Sequence, residues 1–420
     1  MDPFRQPRTG NSWRLIVELE DWLEEVSRAG FVWYLKRLSG NDTQLTGGHQ
    51  AGPYVPKELA FRLMPHLTDT EQKNPRGEVC LKVLPDGFEA SSNIIYYNNK
   101  FHDNPVSGRN ETRLTGLGGK ENPLLEPENT GALVVFAFEL ATPVKCQVWI
   151  CRNNEEEVQL EDLTGPVEPG EPVIWEPTRK FRSEGTEVHA GSCVLRPDEI
   201  PEDWLDAFPS GMEIIRKAIN LRPDLDRSAD ERILRRRDCE YEVFRSVEKA
   251  FYTPEIRKGF STLDEFLALA QTILQSRKSR AGKSLEYHAK SIFDEEGLKE
   301  GVDYEYNPKI EGNKKPDFLF PTVNNYNDLS FPAEKLTVLA AKTTCKDRWR
   351  QVLNEADRVS VKYLLTLQEG VSVNQFSEMA ASGVKLVVPG RLQKKYPEII
   401  RDQIWSLGDF LTNVKMNSGR

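Results

Sequence analysis

The sequence predicts a two-domain protein, with a mainly β N-terminal half and an α/β C-terminal half on a mixed central sheet. Three observations predict it. At 420 residues the chain can bury two separate cores. Its first half carries short β-branched and aromatic runs separated by Gly, Asn, Asp and Pro, whereas strands and helices alternate after about residue 316. Between them, from about residue 195, Pro197, Pro201, Pro209 and Pro223 punctuate a connecting region. The division implied is 1–195, a linker at 196–225, and 226–420.

A helix is expected over about Arg14 to Arg28, from the spacing of Leu15, Val17, Leu19, Trp22, Leu23 and Val26. Strands are expected at Phe31–Leu35, Ile94–Tyr97, Leu133–Phe138 and Gln147–Ile150, which suits a barrel-like or sandwich domain. The run Pro166 to Pro172 reads as a loop. A short helix follows around Met212 to Ile219. Thr262-Leu263-Asp264-Glu265 has the capping-box pattern and opens a helix through Phe266, Leu269, Ala270 and Ile273. Another helix is expected from near Gly282, with Leu285, Ala289, Ile292 and Phe293 on one face. The order then runs strand Pro316–Phe320, strand Leu336–Lys342, helix Asp347–Val359, strand Tyr363–Leu367, helix Val373–Ala381, strand Val384–Val388.

Composition narrows the class. Hydrophobic content of 38% and a mean hydropathy of -0.55 describe a soluble protein, and no apolar run approaches a membrane span. The N-terminus shows no signal-peptide pattern. The net charge of -9 argues against a nonspecific nucleic-acid coat but leaves local basic patches free to bind DNA. Cys80, Cys146, Cys151, Cys193, Cys239 and Cys345 are scattered with no CxxC pair, so reduced, buried thiols are expected, and a cytoplasmic location with them. The five histidines are isolated, which argues against a zinc site.

Chemistry concentrates in the C-terminal half. Pro316-Asp317 ends one run, Ala341-Lys342 closes the next strand, and Glu355 follows. Two acids and a lysine near adjacent strand ends suit metal-dependent phosphodiester hydrolysis, because carboxylates hold Mg²⁺ and an ammonium stabilises a charged phosphate or orients water. Pro-Asp is also a common turn dipeptide, and a strand-terminal lysine is usually solvated. Two basic runs flank the site: Lys342 to Arg350 holds four basic residues in nine positions, and Arg277 to Lys283 holds four more. Together they point to a phosphate track. Many nucleases of this architecture carry an acid two residues before the lysine, but that position is Ala340. Either the site is dead or the acid comes from elsewhere, with Glu355 on the expected helix offering a replacement. Glu286 is a fourth candidate, either a surface residue or metal-adjacent.

These segments closely resemble the EcoRII-type restriction endonucleases. The likeness lies in Arg277 to Glu286, Glu311 to Pro321 and Lys342 to Arg350, and in the N-terminal half in Tyr34 to Ser39, Asn41 to Thr43, Thr46 to Gln50 and Pro127 to Leu133. It implies a B3-like pseudobarrel binding one copy of the DNA target, then a PD-(D/E)xK nuclease domain through which the protein forms a homodimer. It implies cleavage of double-stranded DNA at a CCWGG-type sequence with magnesium (Mg²⁺), activated by a second copy. Asp317 and Glu355 match the metal-binding acids, Glu355 being the displaced acid the family uses, and Lys342 matches the catalytic lysine. Lys346 and Asp347 match positions reading the outer G·C pairs, which suits lysine against guanine and carboxylate against cytosine. Arg348 and Lys278, within the two matching basic runs, are assigned with them to the DNA-binding set. Arg237 and Tyr241 match the pair that holds an extruded central base. His49, Tyr54, Arg109, Glu111 and Arg113 match DNA-contacting positions of the first domain. The loop 107–113 departs from the pattern, with Thr112 in place of a basic residue, which leaves that site's affinity and preference open. Two other classes remain, a non-cleaving DNA-binding regulator and a structure-specific repair nuclease. The intact Asp317, Lys342 and Glu355 argue against the first, and groups suited to base edges argue against the second.

Overall fold

The computed structural model describes residues 18–45, 52–102, 110–176, 192–346 and 348–417. His49, Arg109 and Asp347 lie outside them. The N-terminal strands are β1 (Phe31–Arg37), β2 (Tyr54–Val55), β3 (Arg76–Leu84), β4 (Phe88–Tyr97), β5 (Glu111–Thr115), β6 (Leu133–Glu139), β7 (Val144–Ile150) and β8 (Val173–Trp175). They form one sheet in the order β2-β5-β4-β3-β7-β6-β1-β8. Neighbours are antiparallel except β3 and β7, which run parallel. The Tyr34 hydroxyl on β1 donates to the Tyr54 carbonyl on β2 at 2.8 Å, so distant strands of the sheet meet. This is the barrel-like form of the two expected.

Alternation decides the two faces. Val32, Tyr34, Val134, Phe136 and Val148 fill one core. Trp33, Leu35, Leu133, Val135 and Trp149 fill the other, under helix α1 (Leu19–Val26) and helix α2 (Asn154–Thr164). The Asn153 side chain caps α2 by accepting from the amides of Glu155 and Glu156, both at 3.0 Å. Buried Arg37 ties α2 to the sheet by donating to Glu157 at 2.8 Å and Glu161 at 2.9 Å. Removing either side of such a pair costs about 3–5 kcal/mol.

The connecting region is not extended. Helix α3 (Gly211–Leu221), with a Ser210/Glu213 capping box, packs with Leu195 and Ile200 on Val243, Phe244 and Val247. Those three belong to α4 (Ala229–Lys258). Cys193 and Cys239 are joined by a disulfide, which corrects the expectation of six reduced thiols. The pair is 46 residues apart, and only the folding back of the connector brings it together. Cys146, Cys151 and Cys345 are buried thiols outside the disulfide, whereas Cys80 is an exposed one.

The second sheet contains β9 (Glu305–Tyr306), β10 (Phe318–Phe320), β11 (Thr337–Ala341), β12 (Lys362–Leu365) and β13 (Val384–Val387), in the order β13-β12-β11-β10-β9. It is mixed, antiparallel from β9 to β11 and parallel from β11 to β13. Helix α5 (Leu263–Glu295) packs Leu285, Ile292 and Phe293 onto one face. The sequence predicts two helices there, but α5 runs unbroken through Gly282. A Cβ at Gly282 would meet open space, and one internal glycine costs a helix only about 1 kcal/mol. The helix expected over Asp347–Val359 is also corrected. Among the described residues of that span only Trp349–Val352 is helical, as α6, and Glu355 lies in the bend beyond it. Val352 packs with Trp349 and Leu364, whereas Ala356 and Val359 pack with Leu319 and Val338. One straight helix cannot serve both clusters. Helices α7 (Val373–Ala381) and α8 (Leu407–Asn417) complete the layers.

The halves touch closely. The amide of Gly40 donates to the Glu369 carbonyl at 2.8 Å, and Ser372 donates to Glu128 at 2.7 Å. Gly165 ends α2 at φ 84°, and a Cβ there would meet Arg277 of α5 at 3.4 Å.

Candidate active site

Antiparallel pairing of Phe318 with Leu339 sets Asp317, just before β10, beside the end of β11. Its Oδ2 accepts from the Ala341 amide at 2.8 Å and from Lys342 Nζ at 2.9 Å. Burial alone would lower the Lys342 pKa. Asp317, with Glu355 and Glu286 behind it, outweighs burial and holds the ammonium above its ordinary value. Ala340 is fully buried beside Leu364 and Trp349, so the usual acid position is part of the apolar core.

Glu355 supplies a second carboxylate. Burial first, then Asp317 and Glu286, push it up to about 7 against the pull of Lys342 and Lys362. Its Oε2 is buried with no hydrogen-bond partner. Such an oxygen is costly unless a cation or proton meets it. Among the described residues, no group of three or more His, Cys, Asp or Glu could hold a metal. Magnesium needs no such cage, because one or two carboxylates with waters and substrate phosphate suffice. Asp317 and Glu355 therefore fit it. Glu286 is buried and occupied: it accepts from Lys283 at 2.8 Å, Tyr306 at 2.9 Å and Asn307 at 3.4 Å.

A second polar cluster sits between α4 and α5. Arg237 Nε donates to Ser284 Oγ at 3.1 Å, and its Nη2 to Glu168 of the N-terminal half at 2.6 Å. Tyr241 is half-buried, with Arg280 5.0 Å from its ring centroid.

Comparison with known proteins separates the alternatives. The EcoRII C-terminal family profile matches residues 244–411, and the profile of the restriction endonuclease EcoRII N-terminal domain matches residues 27–179. The type II restriction enzyme EcoRII of Escherichia coli is 41% identical over 406 residues, covering 95% of this chain and 98% of that enzyme. The chain belongs to the EcoRII family of type II restriction endonucleases. The type II restriction enzyme SsoII of Shigella sonnei is 28% identical over 127 residues, 29% of this chain and 40% of that enzyme. Among solved structures, metal-depleted Ecl18kI in complex with uncleaved, modified DNA gives a TM-score of 0.42 at 20% identity, covering 51% of this chain and 80% of its own. The UbaLAI B3 domain with cognate DNA gives 0.26 at 18% identity, covering 36% and 93%.

In this EcoRII-family chain the remaining expected residues fall into three places. Tyr54, Glu111 and Arg113 meet where β2 pairs with β5: Tyr54 is in register with Arg113, whose Nε donates to Glu111 at 2.9 Å. Burial, then Glu111, raises the Tyr54 pKa. Lys346 and Arg348 line a crevice against α2 with Arg37, Asn154, Glu157 and Thr344, and Arg348 Nε donates to Asn154 at 3.3 Å. Lys278 forms an ion pair with Asp162 of α2.

The expected phosphate track is not free in this conformation. Arg277 is bound by Glu248 at 2.6 Å, Lys278 by Asp162, Arg280 by Glu168 at 3.3 Å and Glu240 at 3.4 Å, and Lys283 by Glu286 at 2.8 Å. Asp162 and Glu168 come from the N-terminal half. The sequence did not single out Glu168, Asn154 or Tyr306, and it showed Arg280 only within a basic run. Acidic residues near Pro and Gly give no signal of a long-range partner.

Proposed function

We propose that this restriction endonuclease cleaves double-stranded DNA at a CCWGG-type sequence before the first C, using Mg²⁺, as a cytoplasmic homodimer joined through residues 226–420. The observation that carries the reading is Lys342 Nζ at 2.9 Å from Asp317 Oδ2, with Glu355 Oε2 buried and unpartnered nearby. Magnesium held by Asp317 and Glu355 would supply Lewis acidity and a lowered pKa for bound water. Lys342 stabilises charge on the phosphoryl oxygens as water adds and the sugar oxygen leaves. Glu286, held by Lys283 and Tyr306, backs the site and keeps negative charge near the lysine. Lys346, Asp347 and Arg348 read base edges, while Arg237 and Tyr241 receive an extruded central base, with the guanidinium and ring on its faces.

In this reading the domain over residues 1–195 binds a second copy of the target through His49, Tyr54, Arg109, Glu111 and Arg113, and the linker at 196–225 couples it to the nuclease. Asn154, Asp162 and Glu168 engage Arg348, Lys278 and Arg237, which supports closure of the cleft until that copy is bound. A plasmid digest with Mg²⁺ tests the function. Discrete bands are expected. No cleavage, or cutting that follows DNA structure, overturns the reading.

A further inference from the structure

The contact between Glu168 and α4–α5 is chemically specific. Its Oε2 accepts from Arg237 at 2.6 Å and its Oε1 stands 3.3 Å from Arg280 Nη2. The side chains of Glu168, Arg237 and Arg280 are only 8%, 7% and 4% exposed. Behind them Ser284 accepts from Arg237 and donates to Glu240, while Arg280 Nη1 lies 3.4 Å from Glu240 Oε1. Arg280 also covers the Tyr241 ring.

Seating the loop brings Glu168 against Arg237 and Arg280. Burial works to raise the Glu240 pKa, but Arg280, His288 and Arg237 draw it down to about 2, so it is ionised. Burial lowers the His288 pKa against the opposing pull of Glu240, so the imidazole is neutral at pH 7. Burial, then Glu168, raises Glu171 to about 8, so it is protonated near neutrality. The guanidinium groups of Arg237 and Arg280 face the side-chain carboxyl groups of Glu168 and Glu240. Withdrawing the loop leaves one positive charge unmatched beside an aromatic ring. That guanidinium is then available to an electron-rich ligand, which regains the lost ion-pair contact.

We propose that Glu168 is an internal competitor for the extruded base, and that Arg280 is a further member of the base pocket, held by Glu168 until DNA displaces it. This rests on the reading of Arg237 and Tyr241 as that pocket. A carboxylate oxygen offers a guanidinium an in-plane acceptor, as the edge of a base does, so with Arg237 on a face of the base it is Arg280 that takes the edge Glu168 imitates. Because Glu168 belongs to the N-terminal half, filling the pocket with a base and seating that half exclude each other. Base capture and domain release become one equilibrium.

The test compares full-length wild type, Glu168→Gln and Glu168→Ala on plasmids with one or two target copies. Both variants should cut the one-copy plasmid about tenfold or more faster than wild type, the factor expected for losing a hydrogen bond to a charged group. Their two-copy rates should match wild type, which also shows that they are folded. A fluorescent adenine analogue at the target centre should brighten at lower protein concentration with the variants. One-copy rates equal to wild type overturn the competitor role, while wild-type cutting of the two-copy plasmid leaves the underlying reading standing. Variants that alone lose two-copy cutting make Glu168 a structural residue and also overturn it. No cutting by any of the three removes the reading and the competitor together.

Discussion

Lys342 Nζ lies 2.9 Å from Asp317 Oδ2, an oxygen that also accepts the Ala341 amide at 2.8 Å. One carboxylate oxygen thus fixes both the strand end and the ammonium. Lys342→Ala should reduce the single-turnover cleavage rate by about 10²–10³, the scale for removing one donor to a transition-state oxyanion. Target binding measured without metal should stay within a few-fold of wild type, because the lysine acts on the transition state. Cutting at the wild-type rate would take Lys342 out of the chemistry.

Release of the N-terminal half should speed single-site cutting. The seal is made by Asn154, Asp162 and Glu168 against Arg348, Lys278 and Arg237. A fragment starting at Ser192 keeps the Cys193–Cys239 bond and the packing of Leu195 and Ile200 on α4. It should cut one-copy DNA faster than the full chain. Equal rates would contradict closure.

Closure should weaken with rising pH. In the closed form Glu171 titrates at about 8, raised by burial first and then Glu168 and Asp238, against Arg280 and Arg237. In water it returns to the ordinary carboxylate range. Between that range and about 8 the closed form binds more protons than the open one, so closure is strongest below the window and is lost through it. The open fraction should rise by up to about tenfold per pH unit, and level off above the window. Hydrogen exchange at the α2–α5 contact in DNA-free protein reads this, with Glu171→Gln giving a flat profile. A flat wild-type profile would exclude Glu171 from the latch.

Tyr241→Ala should blunt the brightening of a fluorescent adenine analogue at the target centre, or change central-base discrimination. Arg280 lies 5.0 Å from the ring centroid, so the half-buried ring stands beside the guanidinium pocket proposed for the base. An analogue that stays quenched in a saturated wild-type complex would rule out extrusion.

Asp317 and Lys342 were legible because strand period and turn residues are local signals, and the sheet pairs them where the pattern says. Glu355 was singled out in the sequence, but its setting was not legible there. The spacing of Val352, Ala356 and Val359 reads as one helical stripe, yet two different cores bury it. The Glu168–Arg237 contact spans 69 residues and the disulfide 46. Neither leaves a local trace, since each depends on how α2 and the connector dock on α4. The basic run Arg277–Lys283 was visible, but its acid partners lie mostly far away in sequence.

The most direct measurement is the sequence of both strands at the ends of plasmid fragments produced with Mg²⁺. The account predicts that every end lies before the first C of a CCWGG-type site. Ends scattered over unrelated sequences, or an uncut plasmid carrying two such sites, would contradict it.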